Sequence, residues 1–372
     1  MWKYAGYAAP RSIVIPHLLT QRTKKGSFTI PPEQRRISSE EEQNLETSSR
    51  SLYLRFRGRK TPPIQGGELP TINTTLASFL KRSGIQFVRC WFQWNFFQKY
   101  LRHRELGPGL DLDDSYHFPL DDFVQKMNEA GITVIGVLGN GYSRFLPLDL
   151  QRVENLGEYL RRLSESSTAI VRHYKDRVKN WQIENEPNWW KAHYAGHWRR
   201  GSVWLDSDNQ EPILRALYSV VRAESPDASI IINLEADSKT TDWRFYSKYC
   251  DVLGLDFYPN YKHPIPSDAT MISDTAKLVK RSTGVPCFVI ETGYPTGPKW
   301  LGYSEERQAK YIRSACEQAF TCDALSGLGW FRLSDTFWRS FPFHENYFGL
   351  LSKHGRPKLG WSEYLSQVRK AR

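Results

Sequence analysis

From about residue 51 onward, short apolar runs alternate with longer stretches whose apolar residues recur every three to four positions. Runs of the first kind predict strands and stretches of the second kind predict amphipathic helices. The first strand falls at Leu52–Arg57, where Leu52, Leu54 and Phe56 alternate with Tyr53, Arg55 and Arg57. Further strands are predicted at Gln86–Trp91, Ile132–Leu138, Val178–Glu184, Ser229–Leu234, Val252–Tyr258, Phe288–Glu291 and Gly327–Phe331. Helices fill the intervals, at Ile72–Arg82, Leu120–Ala130, about Leu150 to Asp176, Gln210–Glu224, Asp242–Tyr249, Ala269–Ser282, Ser304–Phe320 and Ser362–Lys370. Gly131 stands just past one helix, and Gly284 with Pro286 stops another, as helix ends commonly require.

Near-continuous apolar strands separated by helices predict a parallel sheet covered on its outer face. An eightfold alternation favours closure into a (β/α)8 TIM barrel, with an open doubly wound sheet as the alternative. The texture before residue 51 is different. The run Ser38-Ser39-Glu40-Glu41-Glu42-Gln43-Asn44 is polar and nearly without apolar anchors, which predicts a flexible or loosely packed extension. The expected organisation is therefore residues 1–50 as a basic extension and 51–372 as one barrel domain.

The net charge of +11 raises the question of a polyanionic partner, and its distribution answers most of it. Residues 1–60 carry 12 Lys/Arg against 5 Asp/Glu, while the remainder carries 39 against 35. The excess sits in the extension, without a zinc-finger or RNA-binding aromatic signature beside it. No nucleic-acid partner is expected; a solvated tail is the ordinary outcome, and an anchor for polyanions the alternative. The five cysteines, Cys90, Cys250, Cys287, Cys316 and Cys322, lack metal-ligand spacing, and buried free thiols are expected for Cys90 and Cys287. Pro10, Arg11 and Pro16 interrupt the early apolar residues, so no secretion signal is read there. No apolar run is long enough to span a bilayer, which leaves a cytoplasmic location as the default and the oligomeric state open.

In barrels of this kind the working residues stand at the carboxyl ends of the strands. Reading only those positions leaves Arg89 to Asn95 after the second strand and Glu184-Asn185-Glu186-Pro187-Asn188, then Trp189 and Trp190, after the fourth. The later strands end in Asp256-Phe257-Tyr258-Pro259, Glu291-Thr292-Gly293-Tyr294-Pro295 and Gly329-Trp330-Phe331-Arg332. Glu186 and Glu291, on the fourth and seventh strands, can face each other across one mouth. Acetal cleavage asks for such a pair, one carboxylic acid to protonate the departing oxygen and one carboxylate to meet the developing cation.

Asn185-Glu186-Pro187 resembles the acid/base motif of the clan A glycoside hydrolases, whose catalytic glutamates lie on strands four and seven. Glu291-Thr292-Gly293-Tyr294-Pro295, 105 residues beyond Glu186, is similar to their nucleophile segment, especially that of endo-β-1,4-galactanases. Trp181 to Asn188 also resembles the β-xylosidase and cellulase-like branches. The resemblance implies a retaining hydrolase of a β-linked glycoside, with Glu186 as acid/base and Glu291 as nucleophile. It further implies that Asn185 bonds the sugar 2-hydroxyl, that Arg89 and Tyr258 hold the nucleophilic carboxylate, and that Trp330 forms a floor under the sugar. Trp94 and Trp189 are candidate sugar contacts, as are Tyr142, Trp338 and Phe341. Each also has an ordinary structural role open to it: Arg89 a structural ion pair, Tyr258 a barrel cap, the tryptophans core packing. A non-catalytic glycan-binding barrel or a transglycosylase would use the same cleft.

Glu184 lies two residues before Glu186, so unbroken strand alternation puts both on one side, Glu184 as buried support. The remaining signals are weak. His193 and His197 are spaced for a helical metal site, but no third ligand adjoins them and Gly196 weakens the helix, so no metal and no cofactor is expected. Gly139-Asn140-Gly141 lacks the dinucleotide fingerprint, and Gly141-Tyr142-Ser143-Arg144 lacks the glycine of a nucleophile elbow.

Overall fold

Strands with no polar face can persist only where both faces are covered, and that is how this chain uses its apolar runs. A computed structural model describes residues 15–18, 72–92, 120–138, 155–189, 203, 206–236, 241–261, 263–335 and 343–370. Its strands are β1 (Ile15–Leu18), β2 (Phe87–Trp91), β3 (Thr133–Val137), β4 (Asn180–Asn185), β5 (Ser229–Glu235), β6 (Val252–Phe257), β7 (Cys287–Thr292) and β8 (Leu325–Trp330). The helices between and after them are α1 (Ile72–Arg82), α2 (Asp121–Glu129), α3 (Leu156–Tyr174), α4 (Gln210–Glu224), α5 (Trp243–Tyr246), α6 (Thr270–Thr283), α7 (Glu305–Thr321) and α8 (Leu359–Lys370). The positions of β2 to β8 and of the helices agree with the periodicity to within a few residues.

Strands β2 to β8 form consecutive parallel pairs, and every residue of β2 and β7 is buried. The sheet curls until its distant strands meet: the Phe87 ring of β2 lies 5.1 Å from that of Phe288 on β7. Phe87, Ile135, Ile231, Phe288 and Ile290 form an apolar layer of their own inside the curl, separate from the larger core between sheet and helices. Seven parallel strands with alternating helices thus make a barrel-like fold.

The eighth position differs from the expectation. Ile15–Leu18 pairs antiparallel with β8, Ile15 opposite Trp330, and also approaches β2. Four residues of the amino-terminal segment therefore belong to the sheet, because β8 offers an unpaired edge that backbone groups must satisfy. The strand expected at Leu52–Arg57 and the polar run at 38–44 lie outside the described residues.

Local chemistry sets the helix ends. The Asn155 side chain accepts the Glu158 amide at 3.0 Å to start α3, and the Ser304 hydroxyl accepts that of Arg307 at 3.3 Å to start α7. Gly131 and Gly284, both at φ +74°, end α2 and α6 in the left-handed conformation that glycine adopts without steric cost. All five cysteines are buried and unpaired, as expected of thiols in apolar strands and helices. Among the described residues no helix is long and apolar enough to cross a membrane, and no group of three or more His, Cys, Asp or Glu is arranged to hold a metal.

Candidate active site

At the carboxyl ends of the same strands the barrel interior changes from apolar to polar. Two positions beyond Phe87, β2 presents Arg89, which is fully buried. Its guanidinium is divided among three partners on two strands, β7 and β4. Nη1 pairs with Glu291 Oε1 on β7, Nη2 donates to Asn185 Oδ1 on β4 at 2.6 Å, and Nε donates to Gln182 Oε1 at 2.5 Å. The second oxygen of Glu291 accepts the Tyr258 hydroxyl at 2.5 Å. Both oxygens of this carboxylate are therefore held, one by a cation and one by a neutral donor.

Burial dominates the electrostatics here. It pushes the Glu291 carboxyl above its ordinary value, and nearby Glu186 adds to that, while Arg89 and the Tyr258 hydrogen bond pull it back towards ionisation. Burial also pushes the Tyr258 hydroxyl well above its ordinary range, reinforced by Glu291 and Asp256. Tyr258 is thus a donor that keeps its proton.

Glu186 follows β4 directly and is presented by an irregular backbone. The β4–β5 register shifts between Gln182 and Asn185, and Glu184 and Glu186 take left-handed φ values of 64° and 46°. Non-glycine residues pay for this conformation with about 1–3 kcal/mol of strain, which typically collects where a functional side chain must be aimed. The shift also means that simple alternation does not run through 182–186, so the expected placement of Glu184 and Glu186 on one side of a regular strand does not apply. Asn188 pins the turn that follows: its amide donates to Glu235 O and Thr241 Oγ1, each at 2.8 Å, and accepts the Glu235 amide at 3.0 Å.

Beneath the two glutamates runs a buried chain of amides. Asn233 of β5 accepts from Gln182 Nε2 at 2.6 Å and from the Glu186 backbone N–H at 3.2 Å. It donates to Asn185 Oδ1 at 2.9 Å and to Asp256 Oδ2 at 2.6 Å. Asn185 Nδ2 in turn faces Glu186 Oε2 at 3.5 Å.

Arg89, Asn185, Glu186, Tyr258 and Glu291 are therefore brought together, as their strand positions implied. Trp330 is not. It is wholly buried, its Nε1–H donates to Phe348 O at 3.0 Å, and its ring tilts against Tyr311 of α7 at 6.1 Å. The end of β8 turns it to the helix layer, so it has no face to offer a sugar. The next residue takes the mouth: the Phe331 ring stands edge-on to Tyr258 at 6.2 Å, with the Arg332 guanidinium 4.5 Å from its centroid. Gly293 makes this approach feasible, because a side chain there would meet the Phe331 carbonyl at 2.7 Å. Trp189 ends a short turn of 3-10 helix and its side chain lies outside the described residues. So do Trp94, Tyr142, His193, His197, Trp338 and Phe341.

Gln182, Asn233, Asp256 and Phe331 were given no role from the sequence, although Asp256 and Phe331 stand in the strand-end segments singled out there. Asn233 and Asp256 did leave a signal, since each is a polar residue inside a largely apolar strand run, as in Ile231-Ile232-Asn233-Leu234, whereas Gln182 sits in the mixed run Asn180–Asn185. Phe331 left only its adjacency to Trp330.

No family profile and no curated protein matches the chain. Solved structures do resemble it. A GH5_18 protein from Streptomyces cattleya, in complex with GlcNAc, aligns with a TM-score of 0.65 at 16% identity over 81% of this chain and 74% of that one. A family 39 glycoside hydrolase from Bacteroides cellulosilyticus WH2 aligns with a TM-score of 0.56 at 14% identity, covering 80% and 60%. A GH2 β-galacturonidase from Eisenbergiella tayi aligns with a TM-score of 0.55 at 15% identity, covering 81% and 48%; the chain spans about half the length of that protein. What these likenesses define is a barrel-like fold, one that this chain shares with several glycoside hydrolases. At these identities the likeness is one of fold.

Proposed function

We propose that the chain hydrolyses a β-linked glycoside with retention of configuration, using Glu291 as nucleophile and Glu186 as acid/base. The observation that carries this reading is the Glu291 carboxylate, held between the Arg89 guanidinium and the Tyr258 hydroxyl at the mouth that Glu186 shares. A structural ion pair needs no neutral tyrosine donor on its second oxygen and no second glutamate on a strained turn.

In the first step a Glu291 oxygen attacks the anomeric carbon, the bond to the leaving oxygen breaks, and Glu186 gives that oxygen its proton. In the second, water attacks the same carbon, Glu186 takes the water's proton, and Glu291 leaves with its pair of electrons. Asn185 Nδ2 lies at the Glu186 carboxylate, where it supports donation to a sugar 2-hydroxyl, a bond that strengthens as the cation develops. Phe331 replaces Trp330 as the aromatic floor. This reading takes the seven parallel strands and their helices as one catalytic barrel, with Ile15–Leu18 joined to its sheet, and a carbohydrate as its substrate. Among the structures of similar fold, a variant of the Streptomyces cattleya GH5_18 protein is in complex with Manβ1-4GlcNAc, which supports a β-linked sugar as ligand class.

A panel of aryl β-glycosides tests the proposal. Wild-type protein is expected to release the aryl group from at least one sugar, with Glu186→Gln and Glu291→Gln each lowering turnover by roughly 10³-fold or more. Full activity in either variant would sink the assignment.

A further inference from the structure

Beside Glu291, Glu186 and Asn185 lies a further buried carboxyl, that of Asp256, to which the proposed chemistry gives no role. Asp256 on β6 is fully buried and stands opposite Glu291 in the β6–β7 register and opposite Glu235 in the β5–β6 register. Its Oδ2 accepts the Asn233 amide at 2.6 Å, and its Oδ1 has no hydrogen-bond partner among the described residues. We propose that Asp256 is a positioning residue: it fixes the Asn233 amide and, through it, turns the donor face of Asn185 towards Glu186 and the substrate.

The orientation follows from groups that have no choice of role. The Glu186 backbone N–H can only donate, so the Asn233 atom facing it at 3.2 Å is the carbonyl oxygen. Asn233 Nδ2 must then face Asp256 and Asn185, and Asp256 must accept. The Arg89 guanidinium likewise can only donate, so the Asn185 atom facing it is Oδ1, which leaves Nδ2 for Glu186 and the cleft. Gln182 obeys the same logic, accepting from Arg89 and donating to Asn233 and to the Glu184 carbonyl. Asp256 is the acceptor at the far end of this chain. Without it, Asn233 has one buried N–H unmade and less reason to prefer this orientation.

The carboxyl does this as a neutral acid. An ionised buried carboxylate needs several donors or a paired cation, whereas Asp256 receives a single described hydrogen bond and Arg89 commits its donors to Glu291, Asn185 and Gln182. Burial, Glu291, Glu186 and Glu235 all push its value upward, against Arg89 alone. A neutral Asp256 also adds no negative charge beside the Glu291 carboxylate.

The inference rests on the proposed glycosidase reading for its catalytic meaning, but its first test is independent of activity. Protein labelled with ¹⁵N-asparagine is compared as wild type, Asp256→Asn and Asp256→Leu, with Asn233→Ala and Asn185→Ala assigning the side-chain amide signals. Asp256→Leu is expected to move the Asn233 and Asn185 NH₂ signals, and Asp256→Asn, which keeps an acceptor, to restore them. Signals unmoved by Asp256→Leu would overturn the proposal. In kinetics, Asp256→Leu is expected to lower kcat/KM at least ~10-fold for an aryl β-glycoside but much less for its 2-deoxy counterpart. Asp256→Asn is expected to recover most of that loss and leave the acid limb of the pH profile in place. Equal losses on both substrates would contradict the positioning role, as would a shifted acid limb in Asp256→Asn. Amide shifts as expected in a protein that cleaves no glycoside would sink the proposed function and leave the positioning role standing.

Discussion

The inside of the barrel holds two layers that differ in chemistry over a distance of two or three residues. Below, Phe87, Ile135, Ile231, Phe288 and Ile290 pack together with no polar partner. Above, on those same strands, Arg89, Asn233 and Glu291 stand in a network where nearly every polar atom has a named partner. Both layers are equally dry, since Arg89 and Asn233 are as buried as Phe87 and Ile290. The lower layer gains stability from the burial itself. The upper layer bears a desolvation penalty that its hydrogen bonds only offset, and what it gains in exchange is a carboxylate of fixed geometry and tuned charge. On the proposed function, stability and reactivity are therefore set in adjacent layers of one structure by residue type.

Substitutions in the two layers should separate these properties. The largest effect is expected from Arg89→Met, which leaves Glu291 buried without its cation. Breaking a buried pair costs about 3–5 kcal/mol, and Glu291 should then hold its proton and fail as a nucleophile. Steady-state kinetics should show kcat/KM down at least ~100-fold, equivalent to about 2.7 kcal/mol, with the acid limb of the pH profile moved to higher pH. An Arg89→Met protein of near-normal activity would show the pair to be structural. Phe288→Ala in the lower layer should cost about 3–5 kcal/mol of stability, read as a lower denaturant midpoint, while kcat per folded molecule keeps its wild-type value. A fall in kcat without a fall in stability would erase the distinction between layers.

The smallest effect concerns a second polar site, outside the barrel mouth. Lys358 donates to Asp335 Oδ1 at 2.6 Å and to Thr296 Oγ1 at 2.8 Å, and burial raises Asp335 to about 6 despite the nearby ammonium. A raised value means that the folded state holds this proton more tightly than the unfolded chain does. The stability contributed by Asp335 is therefore present at low pH and declines as pH rises through the window from about 4 to about 6. Thermal midpoints of wild type relative to Asp335→Asn across that window should fall with rising pH; a rising difference would reverse the sign.

Much of this was legible in the order of residues. The lower layer follows from apolar runs, and Arg89, Glu186, Tyr258 and Glu291 follow from being the polar residues at strand ends. Four features were hidden for physical reasons. Which of Trp330 and Phe331 faces the mouth depends on a one-residue choice at the end of β8, and a one-residue change swaps faces. The irregular backbone through 182–186 defeats any argument from strict alternation. The bonding of Asn233 and Asp256 is a matter of three strands meeting, which no local window contains. Finally, Ile15–Leu18 joins the sheet because an edge is open to it, not because its four residues announce a strand.

The central claim is that Glu291 attacks and Glu186 shuttles the proton, and chemical rescue by azide tests it most directly. On an aryl β-glycoside with a good leaving group, Glu186→Ala supplied with azide should regain turnover and yield the β-glycosyl azide, because the nucleophile is intact and azide replaces the activated water. Glu291→Ala with azide should instead yield the α-glycosyl azide, formed by direct attack from the vacated face. The same anomer from both variants, or rescue of neither in a wild type that cleaves the substrate, would contradict the assignment of the two carboxylates.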